Sequence, residues 1–150
     1  MQDRREALLE RLDHILAAIP GVASYAANRD DANEADRPAI RLFDADEQAD
    51  DAARGRGRPG HAVNLQTMSP EIHVVVDVPI NQTRTELSRL RREIIRAIAV
   101  DAELHGLCTS NGEIAYEGCV TGFAAGRSFQ REMMLAFSFT YPLDPEELKT

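Results

Sequence analysis

Cysteine is scarce in this chain. The two that occur, Cys108 and Cys119, form no C-x-x-C pair, so a zinc or redox centre lacks its usual ligand spacing and both read as free thiols. The four histidines, His14, His61, His73 and His105, are scattered without metal-ligand spacing. No apolar run approaches the roughly 20 residues of a membrane-spanning helix. The opening MQDRREALLE has neither the apolar stretch nor the small-residue cleavage site of a secretion signal, which places the chain in the cytoplasm where it is made. Catalytic signatures are missing too: there is no G-x-S-x-G, no H-E-x-x-H, no P-loop, and no Cys or Ser with a His placed to suggest a triad. Paired carboxylates occur only in a polar loop and near the C-terminus, where burial sufficient to shift their pKa is not expected. The reading is therefore of a protein with no catalytic residues, cofactor or metal. Positive charge is in deficit, with 17 Lys and Arg against 25 Asp and Glu and a formal net charge of -8. That balance opposes general affinity for nucleic acid, which rests on cations that displace counterions from phosphate.

What is present describes an ordinary globular domain. The 150 residues, 43% hydrophobic and 28% charged, suffice for one core, and no linker divides them, so 1–150 reads as a single domain. Asp3 and Glu6 are spaced as a helix-capping pair, and Leu8, Leu12, Ile15, Leu16 and Ile19 follow at helical spacing until Pro20-Gly21. A weak strand is expected over Val22 to Asn28, then a polar turn, then a strand in PAIRLFD, residues 38–44. His61 to Met68 and Glu71 to Val78 are strand-like, with Ser69-Pro70 turning or kinking the chain between them. Thr83 and Glu86 form a second capping-box pair ahead of Leu87, Leu90, Ile94, Ile95 and Ile98. Asp101 is placed to cap one further turn, and Asn111-Gly112 to turn the chain into a strand with Ile114, Tyr116 and Val120 on one face. In the last strand Met133, Leu135, Phe137, Phe139 and Tyr141 alternate with Met134, Ala136, Ser138 and Thr140, one strongly apolar face that calls for a covering helix. Helix, strands, helix, strands without sustained βαβ alternation is an α+β pattern: a mixed or mainly antiparallel sheet packed by two main helices, residues 3–19 and 83–100, with a long loop over 45–60.

Within that loop GRGRPG, Gly55 to Gly60, matches the G-x-G-x-x-G nucleotide-binding pattern. Its flanks do not. DADEQADDAAR before it is acidic and aperiodic, and HAVNLQTM after it has strand rather than helical character, so no strand-to-helix turn is formed to aim at phosphates. The same loop changes sign along its length: Asp44, Asp46, Glu47, Asp50 and Asp51 come first, and Arg54, Arg56 and Arg58 follow. Either it is a solvated surface loop, or it is an arm ordered by a partner, as long loops inside compact domains often are. A dock for such an arm lies in the second helix, where Arg89, Arg92 and Arg96 share a face; the plainer reading is that this row is only the wet side of the helix. These residues together are the candidate subunit or partner interface.

The whole pattern, carried by EALLERLDHILAAIPGV, NRDD before PAIRLFDADE, MSPEIHVVV, TELSRLRREIIRAI and GEIAYEGCVTGFAAGRSFQREMMLAFSFTYPL, resembles the tail terminator, or tail completion, proteins of long-tailed bacteriophages. The resemblance covers nearly all of the chain. It implies a small α+β protein whose copies form a homohexameric ring on the last ring of the tail tube, stopping tube growth and presenting a surface to the head connector. It implies as partners the protein itself, the tail tube protein, the head–tail connector protein, and genomic DNA that passes through the lumen without sequence-specific binding, with no membrane involved. It places the protein in the host cytoplasm during assembly and at the head–tail junction of the virion afterwards. It carries no catalytic residues over, and an acidic ring suits a channel through which DNA slides. Head-completion and other neck proteins are small, ring-forming and non-catalytic as well and stand as the alternative. A nucleic-acid-binding module using the loop arginines, and a nucleotide-dependent enzyme using GRGRPG, are the readings from other classes.

Overall fold

The computed structural model describes residues 3–29, 34–49, 65–108, 113–121 and 132–145. Asp3 opens helix α1 (Arg4–Ala17), its carboxylate accepting from the Arg5 amide at 3.0 Å and so satisfying one of the donors a helix start leaves free. Leu8, Leu12, Ile15 and Leu16 are buried at helical spacing, with Leu9 beside them. Helix α2 (Thr83–Ala99) buries Leu87, Leu90, Ile94 and Ile98. Its start differs from the expected capping box. A 3-10 turn, Ile80–Gln82, runs straight into the helix, so Thr83 is already helical and the cap position falls to Gln82, whose side chain makes no cap bond. Glu86, freed from that role, binds Arg89 instead. The short helix α3 (Ala102–Leu107) does start on Asp101, which accepts from the Leu104 amide at 3.0 Å.

Seven strands are found among the described residues, in one mixed sheet: β1 (Ser24–Ala27), β2 (Ala39–Phe43), β3 (Glu47–Ala49), β4 (Leu65–Met68), β5 (Glu71–Val75), β6 (Ile114–Thr121) and β7 (Glu132–Pro142). Only β1 and β2 run parallel; the other pairings are antiparallel. β4 and β5 behave as one long strand against β7. Leu65 faces Pro142 and Glu71 faces Ala136, with no residue gained or lost between, so Ser69-Pro70 bends the chain without turning it back. β2 and β3 follow the same long strand on its other side but take one extra residue: from Phe43 to Glu47 is four steps, while their partners Glu71 and Met68 are three apart. The extra residue lies in the corner Asp44-Ala45-Asp46, beside the bend. Pro70 has no amide hydrogen to give a neighbouring strand, which is where a bulge is tolerated.

Part of the expected loop over 45–60 is thus strand. Glu47 and Gln48 are exposed and β3 sits at an edge, so backbone pairing with β4 stabilises it without the apolar alternation by which a strand is read from sequence. Asp50 to Gly60, and with them GRGRPG, lie outside the described residues. A second correction concerns β6. Between Tyr116 and Gly118 the strand carries one extra residue against β7, and Gly118 has φ +126°. Val120 therefore comes opposite Met134 and is 59% exposed, off the face that Tyr116 shares with Phe137.

Met133, Leu135, Phe137, Phe139 and Tyr141 of β7 are all buried, as the alternation predicts, and join Ile40, Leu42, Ile72 and Val74 under the helices. α1 lies over β1 and β2, and α2 over β7, so the helices share one layer on one face of the sheet. Phe137 packs against Tyr116 at 5.2 Å between ring centres, closing the core toward β6.

Candidate subunit interface

The arginines of α2, similar in sequence, have different duties. Arg89 is committed inside the fold. Its guanidinium meets Glu86 at 2.6 Å and reaches the Pro20 carbonyl at 3.3 Å, tying α2 to the end of α1. Gly21 lies under it with φ +78°, and a Cβ there would come 2.8 Å from the Arg89 Nη2. The hydrogen bond from Arg89 holds the Glu86 carboxyl below its ordinary pKa. Arg91 is also occupied: it donates to the Tyr116 hydroxyl at 3.1 Å and stands 5.3 Å from the ring centre, binding α2 to β6. Arg92 and Arg96 are exposed, and neither makes an ion pair among the described residues. Of the predicted row of three, two face water.

The acidic half of the candidate interface is likewise divided. Asp44 and Asp46 are exposed at the β2–β3 corner. Two contacts set that corner's course: the Asn28 side chain accepts from the Asp44 amide at 3.0 Å, and Arg5 of α1 donates to the Ala45 carbonyl at 2.9 Å. Asn28 holds φ +57°, a left-handed conformation that asparagine tolerates better than most residues. Glu47, though exposed, accepts a hydrogen bond from the Tyr141 hydroxyl. Burial, then this carboxylate, pushes the Tyr141 phenol well above its usual pKa. Asp50, Asp51, Arg54, Arg56 and Arg58 lie outside the described residues.

Among the described residues no ion pair joins the two halves. The acidic corner is held by Arg5, in the first turn of α1. Arg96 shares an open groove of about 520 Å³ with Arg11, His14, Ile15, Ala18, Ile19 and Pro20, along the second half of that helix.

A third surface was not picked out by sequence reasoning. Among the described residues β6 pairs only with β7, so the other edge of this eight-residue strand has no partner strand among them. Its outer half, Gly118 to Thr121, carries no charge, and Cys119 and Val120 are exposed there. The strand itself was legible; its place at the edge depends on which strands pair, a long-range matter.

Among the described residues no group of three or more His, Cys, Asp or Glu is placed to hold a metal ion. A second open groove, about 450 Å³, lies between α1 and α3 and is lined by Glu10, Arg11, His14 and Glu103, with Arg11 already engaged by Asp101 at 2.7 Å. No helix among the described residues is long and apolar enough to cross a membrane. No protein-family model matches this chain, and no curated protein matches it either.

Proposed function

We propose that this chain is a structural virion protein whose copies form a ring that caps the tail tube of a long-tailed bacteriophage, stops its polymerisation and joins the tail to the head connector. The observation that carries the reading is that β6, among the described residues, has a partner strand on one side only. An eight-residue edge strand without Lys or Pro, whose outer half is uncharged, is a liability in a lone molecule, and a closed ring of identical copies is one way to cover it. The sequence resemblance, which extends over nearly the whole chain, supplies the particular ring. Capping a polymer requires complementary surfaces and no covalent chemistry, and the candidate residues are of that kind. A charge of -8 per copy favours passage of DNA over its retention. The partners on this reading are the chain itself, the tail tube protein and the connector protein.

Electron microscopy of the particles, with mass spectrometry of purified virions, tests it. The expected result is a ring of six copies of this chain at the head-proximal end of the tube. Mature particles that lack the chain, or purified protein that turns over a small molecule at a defined pocket, would overturn it.

A further inference from the structure

We infer that the exposed arginines of α2, Arg92 and Arg96, receive the Asp44–Asp46 corner of a second copy of this chain, joined head to tail. The inference rests on the ring reading above and names the contact that would close the ring.

The chain as a whole is acidic, yet Arg92 and Arg96 present two guanidinium groups one helical turn apart with no carboxylate of their own among the described residues. Neighbouring cations on α2 are spent internally: Arg89 on Glu86 and Pro20, Arg91 on Tyr116. What α2 shows the solvent is thus more selectively basic than its composition. The Asp44–Asp46 corner is the opposite. Its two carboxylates are exposed on a bulge whose backbone is fixed by Asn28 and Arg5, so the chain does not have to be ordered when a partner arrives. Among the described residues no ion pair joins the two patches within one molecule. Translation and rotation of a second copy brings corner to stripe and leaves a free corner and a free stripe at the two ends. A contact of that type repeats until it closes, and closure gives a ring. Opposite charge across it selects the partner, speeds encounter and makes association depend on salt.

The test uses the full chain and three variants: Arg92→Glu with Arg96→Glu, Asp44→Arg with Asp46→Arg, and all four changes together. The altered positions are exposed, and thermal melts of each variant check that the fold is kept. Association is read by native mass and light scattering at low and high salt, alone and with purified tail tubes. The wild-type chain is expected to associate, less well at high salt, with each two-position variant weakened about tenfold or more by like charges brought together. The four-position variant, and an equimolar mixture of the two-position variants, are expected to regain association, because each then offers opposite charges at every seam. Rings that form equally well in every variant would overturn this seam while leaving the ring reading standing. A wild-type species of two copies only would overturn the head-to-tail arrangement. A chain that stays single at low salt and on tubes would remove the ring reading, and this inference with it.

Discussion

At the scale of the residue, the contact of Gly21 with Arg89 shows how one backbone angle admits a tertiary link. A left-handed φ of +78° costs a residue with a Cβ about 1–2 kcal/mol. At this position an added methyl would also push the Arg89 guanidinium off the Pro20 carbonyl. Gly21→Ala is therefore expected to lower stability in urea unfolding by the strain plus the lost contact, about 1.5–2.5 kcal/mol in all. In an Arg89→Ala background the penalty should fall to the strain alone. Equal penalties in the two backgrounds would show that the guanidinium does not sense the glycine. The two thiols make a second residue-scale contrast. Burial pushes Cys108 up to about 11, whereas Cys119 is exposed on β6. Since the thiolate is the reactive form, a thiol reagent at neutral pH should label Cys119 in the folded chain and Cys108 only after unfolding. Two equivalents taken up by the native protein would contradict the burial of Cys108. That these are free thiols could be read from their spacing; which one is hidden could not, because Cys108 is covered by chain distant in sequence.

Elements were legible in proportion to how local their causes are. α1, α2 and β7 each repeat an apolar pattern over 11 to 17 residues, and all three formed where that pattern runs. The cap at Asp101 is also local, and it formed. The pair at Thr83 did not, because a 3-10 turn arriving from β5 had already taken up the helix start. β3 escaped notice because its neighbours across the sheet, and not its own side chains, hold it. Asp101 permits a test at this scale. Its carboxylate serves both α3, through the Leu104 amide, and α1, through Arg11, and the Arg11 hydrogen bond holds its pKa below the ordinary 3.8. A carboxyl with a lowered folded pKa contributes stability that is complete above the unfolded value and is lost as pH falls through the folded one. Asp101→Asn keeps a capping oxygen and removes the charge. It should cost about 1 kcal/mol at pH 7, and the gap from wild type should shrink as pH falls below about 4. Urea unfolding at pH 7 and pH 3 checks this, and a gap that does not change with pH would exclude the ionic link.

For the whole molecule, buried residues from α1, α2, α3 and the sheet join in one cluster, so no element has a core of its own. Unfolding is expected as a single transition. The chain has no tryptophan, and its three tyrosines lie in β1, β6 and β7, so tyrosine fluorescence follows tertiary contacts at three places while far-UV circular dichroism follows the backbone. Superimposable curves are the expected result; two separated midpoints would mean that the sheet and helices are not one cooperative unit. The α+β class, the two long helices and the apolar face of β7 were determined by sequence alone, because periodicity and caps act over a few residues. Tertiary structure decided which arginines of α2 are spent within the fold, where the acidic corner stands, and that β6 has a partner strand on one side only among the described residues. Those facts depend on strand register and on partners up to a hundred residues away, which no local pattern encodes.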